Sequence, residues 1–160
     1  MSRRIDNIID ILPELIYRGS EKLFYHCTLW VSLRDSVMSD FHNECVRCRA
    51  RGIVNRAVVG HHVYRLKYHP EYALSRYIDI DERTKKKVEV LSKNESNILT
   101  IALKDGVILR LVCIDKKREM YIDVDTFKLL QILPVCSMCH KEIHTTDRVD
   151  KLSEKFPERW

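Results

Sequence analysis

Two Cys-x-x-Cys pairs constrain how this 160-residue chain can fold more than any other feature. Cys45 and Cys48 form the first pair, and Cys136 and Cys139 form the second. Each pair places two thiols on one tight turn, and zinc in structural sites takes four such ligands in a tetrahedron. We therefore predict that the two turns meet and hold a structural zinc ion, although 88 positions separate Cys48 from Cys136.

The redox state of the cysteines depends on the compartment in which the chain works. No apolar run approaches the roughly 20 residues that span a bilayer, and the charged start at residues 1–4 is not followed by an apolar signal core. We expect a cytoplasmic protein whose paired cysteines bind metal rather than form disulfides. A redox or zinc-storage protein with a reactive thiol pair is the alternative. Cys27 and Cys113 lie in apolar patterns and are predicted to be ordinary buried residues.

The composition is that of a folded chain with a modest basic excess. Hydrophobic residues make up 45% and charged residues 32%, with four glycines and four prolines, which excludes a disordered chain. The length allows one core of ordinary size and a small insertion. The net charge of +5 suits a polyanionic partner, but many proteins that never bind nucleic acid carry a similar charge.

Apolar spacing predicts an α+β fold that begins with helices. A short amphipathic helix is expected before Gly19, and a second helix is expected over 20–39. A further helix is expected over 137–145, directly after the second cysteine pair. Residues 147–160 form a charged tail, which either frays or is anchored to the body by its aromatic residues.

Residues 82–125 are predicted to form a small antiparallel β meander inserted between the two halves of the metal site. Val88–Leu91 is the first of its β-rich runs, and Asp105-Gly106 favours a tight hairpin turn further along the chain. Such an insertion explains why the two cysteine pairs lie so far apart in the sequence.

Four of the seven histidines fall in two places that the zinc ion would bring together. His61 and His62 lie at the end of a short predicted strand, and His140 and His144 lie one turn apart on the predicted C-terminal helix. Imidazoles that converge in this way can bind a divalent cation, although a single histidine is more often a surface or core residue. The histidines that we assign to the surface or core are His26, His42 and His69.

Several motifs of the chain share their order and spacing with one known family. They are Phe24-Tyr25, Trp30-x-x-Leu33-Arg34, Cys45-x-x-Cys48, Val59-Gly60-His61-His62-Val63 and Leu133-Pro134-Val135-Cys136-x-x-Cys139-His140. Over residues 20–81 and 126–145 the chain thereby resembles the HNH endonucleases that are common in phages and prophages. The resemblance implies a single nuclease domain over 1–160, with a ββα-metal core wrapped on a treble-clef zinc knuckle. Its expected parts are a helical part (1–40), the core (41–81 and 126–146), the β insertion (82–125) and the tail (147–160).

The resemblance also implies a role for each residue of the histidine site. His62 matches the general base, which takes a proton from the water that attacks a phosphodiester. His61 and His140 match ligands of a catalytic divalent cation such as Mg²⁺ or Mn²⁺, with His144 as a further ligand. The asparagine of the family pattern falls on Gln131, which keeps the carboxamide but adds a methylene. The longer side chain either orients the base from a shifted backbone or fails to do so.

The resulting hypothesis is a divalent-metal-dependent DNA endonuclease or nickase, acting in a bacterial host or a phage-infected cell. Phage packaging (terminase) proteins are the partners that the resemblance implies. The alternative is a zinc-containing DNA-binding or assembly module with weak or lost catalysis. Basic residues near the predicted centre are candidates for phosphate contacts, although a solvated basic loop has the same composition. These candidate DNA-binding residues are Arg47, Arg49, Arg51, Arg56, Arg65 and Lys67.

Overall fold

The computed structural model of the chain describes residues 2–145 and shows the mixed α+β fold that the sequence predicts. Its helices are α1 (Ser2–Tyr17), α2 (Lys22–Tyr25), α3 (Thr28–Asp40), α4 (Val46–Arg49), α5 (Glu82–Ser92) and α6 (137–145). Its strands are β1 (Val59–His62), β2 (Tyr77–Asp79), β3 (Leu99–Ala102), β4 (Ile108–Asp115), β5 (Met120–Asp123), β6 (Lys128–Leu130) and β7 (Ile132–Val135). The predicted charged tail over 147–160 lies outside the described residues.

The N-terminal region consists of three helical segments rather than the two that the sequence predicts. α1 ends before Gly19, whose φ of 71° is readily adopted only by glycine. The prediction of one helix over 20–39 is wrong, because Cys27 adopts an extended conformation between α2 and α3. This break allows Phe24 of α2 and Trp30 of α3 to pack together, with ring centroids 5.7 Å apart.

β1 and β7 form a two-stranded antiparallel sheet, and α6 follows β7 after one residue. In this sheet His61 lies opposite Leu133, and His62 lies opposite Ile132. α3 packs on β1 at Gly60, where a Cβ atom would lie 3.0 Å from Cγ of Arg34. A larger residue at this position would push helix and strand apart, so the close packing requires glycine.

The other sheet has five antiparallel strands in the order β2-β6-β5-β4-β3. The predicted turn at Asp105-Gly106 joins β3 to β4, and Gly106 has a φ of 94°. The sheet extends beyond the predicted insertion of 82–125, because β2 precedes that segment and β6 follows it. Gln131 alone separates β6 from β7, so the two sheets are joined at this residue.

α5 occupies the place of the first strand predicted for the insertion. The prediction of β structure at Val88–Leu91 is wrong, because this run lies within α5. The helix begins at Asp81, whose carboxylate accepts a hydrogen bond of 2.7 Å from the N–H of Thr84. Val88 is fully buried against the five-stranded sheet, whereas Val90 is 67% exposed. Only one residue of this run therefore lies in the core. A run of four residues is too short to show the 3.6-residue period of a helix.

One apolar core joins the N-terminal helices, the β1/β7 sheet and one face of the five-stranded sheet. Trp30, Leu111 and Leu133 are among its buried members, and so are all four paired cysteines. A smaller cluster fills the space between α5 and the opposite face of the five-stranded sheet. The cysteines are therefore part of the main core of the described fold rather than of a peripheral loop.

Candidate metal centres

The four paired cysteines converge into one buried group, as the sequence predicts. Their sulfur atoms all lie within 4.8 Å of one another. Sγ of Cys48 lies 3.7 Å from Sγ of Cys136 and 3.6 Å from Sγ of Cys139. A tetrahedral zinc site with Zn–S bonds of about 2.3 Å requires sulfur atoms about 3.8 Å apart. The group therefore has the ligand type and spacing to hold a metal ion such as zinc.

Local backbone geometry presents these sulfur atoms to one another. In the first pair the N–H of Cys48 donates to Sγ of Cys45 at 3.4 Å, and in the second the N–H of Cys139 donates to Sγ of Cys136 at 3.4 Å. Burial alone raises the pKa of the Cys136 thiol, but hydrogen bonds, chiefly from Cys139, lower it to about 7. Arg51 adds a cation, since its Nη2 donates to Sγ of Cys139 at 3.4 Å. Burial raises the pKa values of Cys45 and Cys139, and these donors oppose that effect in favour of the thiolate form that a metal requires.

A second group consists of His61, at the end of β1, and His140 and His144, one turn apart on α6. One ring nitrogen of each lies within 4.8 Å of the others, and Nε2 of His140 lies 2.8 Å from Nε2 of His144. Burial, followed by the charge of Arg65, holds the pKa of His61 well below its usual range. Burial also lowers the pKa of His140. Neutral imidazoles present lone pairs, so this three-histidine group has the donors for a divalent transition-metal ion.

His62 lies next to this group but faces a different environment. Its ring stacks on Trp30, with centroids 4.4 Å apart, and also packs near Phe24 and Tyr25. Its Nε2 lies 2.9 Å from the carbonyl oxygen of Ala73. Because a carbonyl oxygen can only accept, Nε2 carries the hydrogen and Nδ1 keeps a lone pair. Burial lowers the pKa of His62, so the imidazole is neutral near pH 7.

His62 and the three-histidine group open into the same cleft, which has a volume of about 410 Å³. This histidine cleft lies between α2, α3, β1 and α6. Its lining side chains include the four histidines His61, His62, His140 and His144 together with Tyr25, Trp30, Arg34 and Arg65. The cleft thus contains a proton acceptor, a candidate cation site and two arginines.

Gln131 is fully buried beneath the loop that follows β1. Its Oε1 accepts from the N–H of Tyr64 at 2.8 Å, and its Nε2 donates to the carbonyl oxygen of Tyr64 at 2.9 Å. A longer contact of 3.4 Å reaches the carbonyl oxygen of Tyr72. The longer carboxamide therefore holds the backbone of the loop that leads to Ala73, the residue that orients His62.

Three of the six candidate DNA-binding residues make their contacts within the protein. Arg47 pairs with the buried carboxylate of Glu119 at 2.8 Å. Arg49 pairs with Glu44 at 2.6 Å. Arg51 donates to the cysteine sulfur atoms, where it offsets thiolate charge. Each of these three side chains thus has a partner within the protein, although Arg49 is only half-buried and Arg51 is exposed.

The other three candidates lie closer to open surface. Arg65 lines the histidine cleft, and its positive charge helps to lower the pKa values of His61 and His62. Arg56 is exposed and lines a groove beside the cleft. Lys67 is exposed, with Nζ 5.8 Å from the ring centroid of Tyr68. The six candidates thus form two groups of three: one contacts nearby carboxylates or the cysteine sulfur atoms, and the other lies closer to open surface.

Sequence reasoning missed several residues of the cleft. It also predicted that Cys27 and Cys113 are more buried than they are in the structure. The sequence patterns give neither Trp30 nor Arg34 a role in the cleft, yet both residues line it. Their spacing of four on α3 places them on one helical face, which is a usable signal. Cys27 and Cys113 are half-buried rather than fully buried, so that part of the prediction is wrong.

Comparisons with known protein families, curated proteins and solved structures found no match for the chain. No helix within residues 2–145 is long and apolar enough to cross a membrane. The fold and the buried cysteine group are compatible with a small α+β zinc-binding domain.

Proposed function

We propose that the chain is a divalent-metal-dependent DNA endonuclease or nickase with a ββα-metal core of the HNH type. The observation that carries the proposal is that His62, with Nδ1 able to accept a proton, opens into the same cleft as the three-histidine group. The order of β1, β7 and α6 supports the ββα assignment. The zinc of this proposal is structural and is held by the four cysteines.

His62 acts as the general base in this proposal. Its Nε2–H bond to Ala73 fixes the ring and the tautomer, and its Nδ1 takes the proton from an attacking water molecule. The lowered pKa keeps His62 neutral, and therefore basic, at pH 7. Stacking on Trp30 restricts rotation of the ring, so the acceptor atom stays aimed in one direction.

His61, His140 and His144 hold the catalytic cation. A bound divalent cation supplies stabilisation of the negative charge that develops on the phosphate and on the leaving oxygen. Three imidazole nitrogens without a carboxylate suit manganese, nickel, cobalt or zinc better than magnesium, which prefers oxygen ligands. Arg65 and Arg34, on the same cleft, supply charges that attract the phosphate group.

A plasmid-nicking assay tests the proposal. Zinc-loaded protein with added Mn²⁺ or Ni²⁺ is expected to convert supercoiled plasmid to the nicked form, and His62→Ala is expected to slow this at least about 100-fold. His26→Ala is the matched control, because His26 is exposed and lies outside the residues that line the cleft.

Two outcomes of this assay would contradict the proposal. Nicking that survives in His62→Ala would remove the assigned base. A wild-type protein that binds both metals but never cuts DNA would favour the alternative, a zinc-containing DNA-binding or assembly module.

A further inference from the structure

A second groove adjoins the histidine cleft on the outer side of β1. It has a volume of about 510 Å³ and shares Arg34 and Val58 with the cleft. Its lining residues are Arg34, Asp35, Met38, Asn43, Arg56, Ala57 and Val58. Arg34 and Val58 thus lie at the boundary between the two depressions, which follow one another from the histidines to Arg56.

Arg34 lies at the junction of the two depressions. Its aliphatic part rests on β1, with Cγ 3.0 Å and Cδ 3.8 Å from the position that a Cβ of Gly60 would take. Among residues 2–145 its guanidinium pairs only with the neighbouring Asp35 at 2.9 Å, and both side chains are substantially exposed, at 36% and 64%. An exposed pair of this kind contributes little to stability, so a phosphate can replace the carboxylate at little cost.

Arg56 marks the far end of the path. The backbone there is extended and is held by hydrogen bonds from the N–H of Ala57 to Asn43 and from the N–H of Val58 to Val135. Six residue steps from Arg56 to His62 span at most about 20 Å. Within residues 2–145 the guanidinium of Arg56 makes no hydrogen bond or ion pair, so its charge is available to an external anion.

Three arginines line the two depressions. Arg65 stands at the cleft, Arg34 at the junction and Arg56 at the end, with Asp35 as the one acidic residue of the adjoining groove. The path is at most about 20 Å long, and one strand carries a phosphate every 3.4 Å of duplex axis, so the path matches at most about six nucleotides. A phosphate backbone repeats its negative charge along its length, so it suits arginines placed at three successive points of such a surface.

The geometry points to a binding track for one nucleic-acid strand, which runs along β1 from the histidine cleft across Arg34 to Arg56. This inference deepens the proposed function and rests on it, because the strand enters the cleft where cutting would occur. The track does not include Arg47, Arg49 and Arg51, because these residues line neither depression.

Binding of a fluorescently labelled 20-nucleotide DNA to zinc-loaded His62→Ala protein tests the track without cleavage. Anisotropy is measured across a series of salt concentrations. Arg34→Gln and Arg56→Gln are each expected to weaken binding about fivefold or more and to reduce the slope of log K against log salt by about one. Arg49→Gln is the matched control and is expected to leave both quantities unchanged.

The outcomes separate failure of the track from failure of the proposed function. DNA binding with an unchanged salt slope in both groove variants would overturn the track, while nicking by wild-type protein would leave the nuclease proposal intact. Absence of DNA binding in the parent would overturn the track directly. Tighter binding of an RNA strand through the same two arginines would replace DNA by RNA as the ligand. Arg56 is on the surface, so its variant stays informative even where Arg34→Gln unfolds.

Discussion

Gln131, which lies between β6 and β7, has a buried side chain that holds the loop that orients His62. Its main chain is fixed on both sides, because its N–H donates to Arg76 and its carbonyl oxygen accepts from Val63. Its side chain must therefore reach Tyr64 from a backbone that cannot shift. At this position the length of the carboxamide is matched to the distance that it spans.

Replacement of Gln131 by asparagine, the residue of the family pattern, is expected to impair the protein. Asparagine is one methylene shorter, so it leaves a buried N–H or carbonyl group of Tyr64 without a partner. We expect the free energy of unfolding to fall by about 1–3 kcal/mol in a denaturant titration. Gln131→Asn protein as stable as the wild type would show that the loop can move to meet a shorter side chain.

The pH dependence of cutting reports on His62. Burial lowers its pKa below 6.5, and only the neutral form accepts a proton. Cutting should therefore be nearly constant at neutral and alkaline pH and should fall as pH decreases through the lowered pKa. Metal occupancy is measured at each pH, so that loss of the cation is not mistaken for titration of the base. An acid limb with its midpoint above pH 7 would contradict this assignment.

Arg47 connects three elements that are distant in the sequence. It lies on α4 beside Cys48, and it pairs with Glu119 in the turn between β4 and β5 and with Glu142 on α6. Burial raises the pKa of Glu119, and the adjacent Arg47 opposes that rise. The ion pairs of Arg47 connect the five-stranded sheet to both cysteine turns, so the sheet helps to hold the four cysteines in place.

Removal of the ion pair between Arg47 and Glu119 is expected to lower the free energy of unfolding substantially. Arg47→Ala leaves the carboxylate of Glu119, which is 3% exposed, without its partner. We expect a loss of about 3 kcal/mol of stability in urea unfolding. Arg110→Ala is the matched control, because Arg110 pairs with Asp125 at an exposed site and should cost less than about 1 kcal/mol. Equal losses in the two variants would show that the Arg47 pair has no special structural role.

Across the whole molecule, sequence reasoning predicted the parts whose residue pattern lies within a short stretch of the chain. The cysteine turns, the strand that ends in His61 and His62, and the hairpin at Asp105-Gly106 each have their pattern within a few residues. The break at Cys27 has no such pattern. Tertiary packing produces it, because the break lets Phe24 and Trp30 meet around His62.

Long-range pairing explains the remaining differences. The pairing of Arg47 with Glu119 depends on how the five-stranded sheet docks on α4, which no local pattern encodes. The same applies to the approach of Arg34 to Gly60, which builds the junction beside the cleft. The residues that would bind metal were thus predictable from spacing, whereas the charges that surround them were not.

The central claim is that the fold holds two separate metal sites, one of four cysteines and one of three histidines beside His62. Calorimetric titration of zinc-loaded protein with Ni²⁺, together with analysis of bound zinc, tests it most directly. We predict that the wild type keeps one zinc and binds one Ni²⁺, that His140→Ala loses the Ni²⁺ but keeps the zinc, and that His62→Ala keeps both. Zinc-loaded protein that binds no Ni²⁺, or that binds it equally well in His140→Ala, would contradict the account.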